Sequence, residues 1–291
     1  DVWKNILVAR RIINLSVTFD FYGSSADKNF QKKITDLISF HFKHLVITTR
    51  LHPEKNDLDI EISKSLLLTS NIFGNKNIFS YIINLIKNQT ENQINADGFH
   101  KSINIFEQAK FIHQLIEIKN ILLFYNYDGW LEIDSIIVDM LSLLKNFFHK
   151  DLSLPLFNAT NNTKRNYVMH IANLQKDIKI KKLLNIRDGI VVVDANKTRL
   201  FFDITKPNSK LLNKKIHSGT LSFEMSHGNE KIITNCGSPE KYLGKNQVFF
   251  RYSAAHSTIT INNTNVSELS ENSGYRRIPK SIKNSSEDLE D

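Results

Sequence analysis

A chain of 291 residues with 41% hydrophobic content can bury a sizeable core, and its length allows one large domain or two ordinary ones. Its 38 basic against 30 acidic residues leave a net charge of +8. That surface suits an acidic polysaccharide, a nucleic acid or a membrane surface, although lysine-rich solvated faces alone give the same excess. No basic cluster is interleaved with aromatics and no nucleic-acid motif appears, so a nucleic-acid partner is not expected. No apolar run approaches the roughly 18 residues needed to span a bilayer. The single cysteine, Cys236, excludes an intrachain disulfide in this sequence and leaves the redox compartment open. The sequence sets no oligomeric state.

From Val2 to about Lys150 the apolar residues recur with a helical period. Within 30–45, Ile34, Leu37, Ile38, His41 and Leu45 follow at spacings of three and four and predict one amphipathic face. Further helices are expected over 59–71, 77–89, 104–124 and 130–148. They are broken at Gly23, at His52 and Pro53, at Gly74 and Asn75, and between Tyr127 and Gly129. Short connections between successive helices imply antiparallel αα-hairpins. His41 and His44 have a spacing compatible with a metal, yet no acidic partner follows, so core packing is the expected role. Asp134 and Asp139 are expected on the solvated face of their helix.

The stretch 158–185, rich in Asn and Lys, reads as a connection containing a helix near 167–174. After about Asn185 the period changes to two. Residues 189–194 and 198–204 flank a turn in which Asn196 tolerates a positive φ, which predicts a hairpin. Three later pieces read as short strands: His217 to Met225, Ile232 to Gly237, and Arg251 to Ile261. Phe223 and Met225 share one face, as do Ile259 and Ile261, while Thr258 and Thr260 share the face of His256. The hairpin implied by a turn over 227–230 brings His217 opposite Asn235, and His256 opens the last strand on its polar face. His217, Asn235 and His256 are therefore expected to meet on one rim, with Arg251 near.

This pattern resembles the β-domain of the heparinase II/III-like family of polysaccharide lyases. The resemblance is carried by His217, Leu221, Ser222, Phe223 and Glu224, then by Gly237, then by Arg251, Ala254, Ala255, His256 and Thr258. Upstream, Asp97, Gly98 and His100, followed by a long apolar helix, resemble an Asp-Gly-Gly-His motif of a bacterial subgroup. The run from Leu144 to Lys150, leading into Leu156, Phe157 and Asn158, resembles the same subgroup. The resemblance implies an α+β multidomain fold: a helical, (α/α) toroid-like domain over 1–157, a linker over 158–188, and an antiparallel β-sandwich over 189–291. The family carries more helix before this point and more strands after it, so both domains are expected to be incomplete. The family also suggests the periplasm or cell envelope.

The resemblance implies β-elimination on an acidic, uronic-acid-containing polysaccharide. That chemistry needs a base for the C5 proton, an acid for the leaving oxygen, and a group that neutralises the sugar carboxylate. His217, His256 and His100 are the catalytic candidates it implies, with Arg251, Lys215 and Asn104 binding substrate. Alternatives stand beside these roles. The two β-domain histidines would otherwise hydrogen-bond neighbouring loops, His100 would cap a helix, Arg251 would pair with an acidic neighbour, and Asp97 would cap or shape the Gly98 turn. Family members can bind zinc through a His, Asp, His set. Here Asn235 stands in the Asp position, a weaker ligand beside His217 and His256, so no cofactor is expected and zinc is doubtful. The acidic residue expected shortly after His217 is Gly219, and Lys215 stands where a further His often occurs. Tyr125, Tyr127 and Tyr252 match no family tyrosine position. The gaps in the set point to an alternative: a non-catalytic glycan-binding or envelope protein that kept the fold.

Overall fold

The computed structural model describes residues 2–51, 59–175, 189–205, 216–239, 244–270 and 275–280. Helices α1 (Asn5–Val17), α2 (Phe19–Tyr22), α3 (Lys28–Leu51), α4 (Ile60–Ile72), α5 (Phe79–Gln93), α6 (Ile105–Phe124), α7 (Trp130–Leu144) and α8 (Arg165–Ala172) come first. Strands β1 (Ile190–Ala195), β2 (Thr198–Asp203), β3 (Phe223–His227), β4 (Glu230–Ile233), β5 (Glu268–Leu269) and β6 (Tyr275–Arg277) follow. The fold class is that of a helical N-terminal region followed by antiparallel sheet. The break expected at His52 and Pro53 lies outside the described residues. The chain forms two compact units, one of residues 1–93 and 114–134, the other of 94–113 and 135–291.

In the first unit α1 packs against α3 and α4, and α4 against α5. Val8, Ala9, Ile12, Leu45, Leu66, Leu67 and Ile82 are fully buried between them. Such burial stabilises by about 25 cal/mol per Å² of apolar surface. Polar cross-links accompany it: Arg10 Nε donates to Glu61 Oε2 at 2.6 Å, and Ser63 Oγ to Gln89 Oε1 at 2.6 Å. The buried arc of α3 is Ile38, His41, Phe42, Leu45 and Thr49. Leu37, expected inside, is 41% exposed. A helix turns about 100° per residue, and the arc centred on Phe42 and Leu45 leaves Leu37 beyond its edge. His41 is buried, with Trp3 packed against it and its Nε2 3.3 Å from Arg11 Nη1, which is the core role expected of it.

In the second unit, β1 to β4 form an antiparallel sheet in chain order. The β1–β2 hairpin turns through Asn196 at φ 55°, and the β3–β4 hairpin through Gly228 at φ 56°, with a bulge at Met225 and Ser226. The strand expected to start at His217 begins at Phe223. Before it, Leu221 takes φ 62°, and its amide donates to Asp203 O at 2.8 Å, so the chain turns instead of extending. His217 therefore lies in a loop, not across a ladder from Asn235.

The strand expected after His256 is likewise absent. Short 3-10 turns cover Gly244–Arg251 and Ser253–Ala255, and then the Asn262–Asn263 turn, with φ of 51° and 55°, folds Ile261 back on Thr264. Asparagine enters that left-handed region at little cost. Helix α7 stops at Leu144, short of the expected 148, because the amides of Asn146 and Phe147 bond to the carbonyls of Leu143 and Leu144, three residues back. The Asn146 side chain also donates to Ser142 O at 3.0 Å. That early end frees His149 to turn inward.

The face reading of α3 predicts that Leu45→Ala lowers stability by about 2–5 kcal/mol while Leu37→Ala stays within about 0.5 kcal/mol. Urea midpoints of the two variants check it, and equal midpoints would refute the arc.

Candidate active site

Two imidazoles form the centre of the site. The rings of His217 and His256 lie 5.3 Å apart at 52°. Arg251 clasps the residues on either side of His217: its carbonyl accepts from Ser218 N at 2.8 Å and its Nε donates to Ile216 O at 3.0 Å. The His217 amide donates to Asn158 Oδ1 at 3.2 Å, and Asn158 is itself held at φ 48°. His256 lies over Gly219, where an added Cβ would come within 3.2 Å of its ring. A side chain there would press on the imidazole, which would have to give by a few tenths of an ångström.

Asn235 joins the pair through Ser257. Its Oδ1 accepts from Ser257 N at 3.0 Å, and its own amide donates to Glu224 Oε1 at 2.9 Å. The Ser257 hydroxyl donates to Phe223 O and accepts from Phe223 N at 3.2 Å, so the residue after His256 is fixed on two sides. Asn235 is 2% exposed. Its Nδ2 is buried without a hydrogen-bond partner among the described residues, and the ring nitrogens of His256 are buried with the Phe250 carbonyl beside them. Buried donors and acceptors are nearly always paired, and an orphan at such a place marks a site that binds polar groups.

Burial holds the His217 pKa well below its usual value, and the nearby His256 and Arg251 add to this. Burial also lowers His256 from 6.5 to about 4, partly opposed by the Phe250 carbonyl and by the charge of Glu224. At neutral pH both imidazoles are therefore uncharged.

Sequence reasoning gives Glu224 and His149 no role beyond carrying the family resemblance. In the structure they form a buried pair, His149 Nε2 to Glu224 Oε2 at 2.9 Å, with both side chains fully buried. His149 Nδ1 lies 2.9 Å from Ser226 Oγ. The signal in the sequence is strand alternation: on β3 the polar Glu224 and Ser226 point inward, while Phe223 and Met225 are only half-buried. A carboxylate on the inner face of a strand requires a partner.

His100 is bound to its own turn, with Nδ1 2.7 Å from Ser102 Oγ and its amide donating to Gln108 Oε1 at 2.6 Å, and its ring lies 5.7 Å from Phe111. Asn104 caps α6, its Oδ1 accepting from Glu107 N at 3.1 Å. Lys215 lies outside the described residues. Tyr127 stacks on Phe79 at 3.9 Å in the first unit.

The donor set does not fit a zinc ion. Asn235 Oδ1 is turned to Ser257, the carboxylate of Glu224 is taken by His149 and backbone amides, and no three His, Cys, Asp or Glu side chains converge among the described residues.

Residues 187–290 match the family of heparinase II/III-like C-terminal domains. No curated protein sequence matches the chain. Among solved structures, the heparan sulfate lyase HepC from Pedobacter heparinus is 14% identical, with a TM-score of 0.65 over 91% of this chain and 46% of its own. A heparinase III structure is also 14% identical, with a TM-score of 0.72 over 91% of this chain and 48% of its own. These likenesses are of fold. The chain spans about half the length of the structures it matches.

Two outcomes are expected. The lowered His256 pKa means that the unfolded chain binds more protons between about pH 6.5 and about 4. Stability is therefore full above pH 6.5 and declines as pH falls towards 4, His256 contributing on the order of 3 kcal/mol and the likewise lowered His217 adding to the decline. Urea midpoints across that range should show the decline, and His256→Gln should make it shallower, leaving the part due to His217; an unchanged slope in the variant would contradict the assignment. Elemental analysis of protein purified without chelator should find zinc well below one equivalent, and stoichiometric zinc would overturn the reading of Asn235.

Proposed function

We propose that this heparinase II/III-like chain is part of a polysaccharide lyase that cleaves an acidic, uronic-acid-containing polymer by β-elimination. The observation that supports it is the neutral His217–His256 pair at 5.3 Å, with the Asn235 side-chain Nδ2 buried and unpartnered among the described residues, beside Arg251. Abstraction of a C5 proton requires an uncharged base within hydrogen-bond reach and a donor that neutralises the sugar carboxylate. His256, the less buried of the two imidazoles, takes the C5 proton in this reading and, as the imidazolium, gives it to the leaving oxygen as the C4–O bond breaks and the C4–C5 double bond forms. Asn235 Nδ2 and Arg251 face the carboxylate, and His217 lies behind His256 as its partner in proton exchange.

A base with a pKa of about 4 is weak in the free protein. An anionic sugar changes that, because a carboxylate within about 4–6 Å favours the protonated imidazole and raises its pKa towards the working pH. The proton acceptor is thus armed by the substrate it acts on.

A second reading is a glycan-binding protein without catalysis. It is favoured by Gly219 and Asn235, which stand where the resembled family carries acidic residues, and by the engagement of His100 and Asn104 in local hydrogen bonds. The full-length protein, incubated with a panel of uronic-acid polymers, separates the two. The lyase reading expects the ultraviolet absorbance of an unsaturated uronate, and expects His256→Ala to lower kcat by about 10²–10⁴-fold. Binding of a polymer with no rise in absorbance would establish the second reading.

A further inference from the structure

We propose that Glu224 and His149, buried behind the imidazole pair, are positioning residues for His256 and Asn235; this rests on the reading of that pair as the active centre. Glu224 Oε1 accepts from Asn235 N at 2.9 Å, from Leu156 N at 2.9 Å and from Thr234 Oγ1 at 3.2 Å, while Oε2 faces His149 Nε2 at 2.9 Å. The position of Asn235 is therefore set by a carboxylate. Asn235 in turn holds Ser257 N, the residue after His256, at 3.0 Å.

The chain of contacts runs Ser226, His149, Glu224, Asn235, Ser257, His256, and no link in it exceeds 3.2 Å before the peptide that joins the last two. Ser226 follows Glu224 by two residues on the same inward face of β3, so its hydroxyl and the carboxylate grip opposite nitrogens of one imidazole. That grip fixes the ring plane of His149, which also packs edge-on against Phe201 at 4.7 Å. Neither Glu224 nor His149 is exposed, so neither touches substrate. Their effect on the reaction is to hold the Asn235 amide and the His256 ring where the sugar must find them.

The test uses the full-length protein with isotope-labelled histidine, Glu224→Gln and Ser226→Ala. In Glu224→Gln the ring resonances of His256 are expected to move and kcat to drop at least about 10-fold while KM changes by less than about 3-fold. A general loss of stability would not move the ring resonances of one residue in protein that remains folded. Unmoved His256 resonances in folded Glu224→Gln protein would overturn the proposal.

Should that variant not fold, Ser226→Ala decides. Ser226 lies on the far side of His149 and Glu224, so a smaller shift of the same His256 resonances supports the relay and an unchanged spectrum refutes it. Absence of lyase activity in the unsubstituted protein would defeat the proposed function, yet the resonance comparison would still settle the positioning role.

Discussion

The second unit is organised around one buried carboxylate. Moving an ion of that size out of water costs several kcal/mol even after relaxation, and the cost is offset only by excellent geometry and full hydrogen bonding. Glu224 meets both conditions with two backbone amides, a hydroxyl and an imidazole. The four partners come from three stretches of chain: Leu156 from the segment after α7, Thr234 and Asn235 from the end of β4, and His149 from the loop that α7 releases by stopping early. A strand residue that gathers three remote segments does more to specify the fold than an apolar one, since an apolar residue in its place would accept many arrangements and the carboxylate accepts one.

The segment after His149 carries this constraint outward. Leu156 is tied to Glu224, and two residues on Asn158 receives the His217 amide. Two further on, Thr160 accepts from Ile105 N at 3.2 Å through its hydroxyl and from Ser238 N at 3.0 Å through its carbonyl. One short segment that turns at Asn158, with φ 48°, thus addresses the start of α6, the His217 loop and the loop after Asn235. Gly237 is required where that last loop meets it, because a Cβ would come within 2.6 Å of the Thr160 carbonyl at a φ of 64°. The imidazole pair depends on this stretch as much as on the sheet.

The sequence discloses what local physics controls. Helical periodicity locates the helices, and the β1–β2 and β3–β4 turns follow from Asn196 and Gly228, whose backbone needs are local. The nearness of His217 and His256 and the place of Arg251 are also legible. What escapes is set by contacts distant in sequence. Leu221 turns left-handed because its amide finds Asp203, so the strand begins six residues after His217 and not at it. Ser257 is captured by Phe223 and Asn235, and the expected ladder after His256 does not form. The two histidines meet without the strand register that their spacing suggests; loops held by side-chain hydrogen bonds bring them together. His149 escapes most completely, since nothing local distinguishes it from other histidines at helix ends.

The electrostatics of the chain act on two length scales. The excess of +8 attracts polyanions from a distance, but in physiological salt that field decays within about 8 Å. At the site itself the imidazoles are neutral, because burial outweighs the pull of Glu224 on His256. A site charged in advance would bind a uronate more strongly, but its imidazoles, already protonated, would have no lone pair with which to take a proton. Under the proposed reading, burial keeps that lone pair available until the sugar carboxylate arrives, and the same carboxylate then stabilises the imidazolium that forms. Attraction is thereby left to the distant lysines and arginines and to Arg251, and proton transfer to groups that stay uncharged while the site is empty.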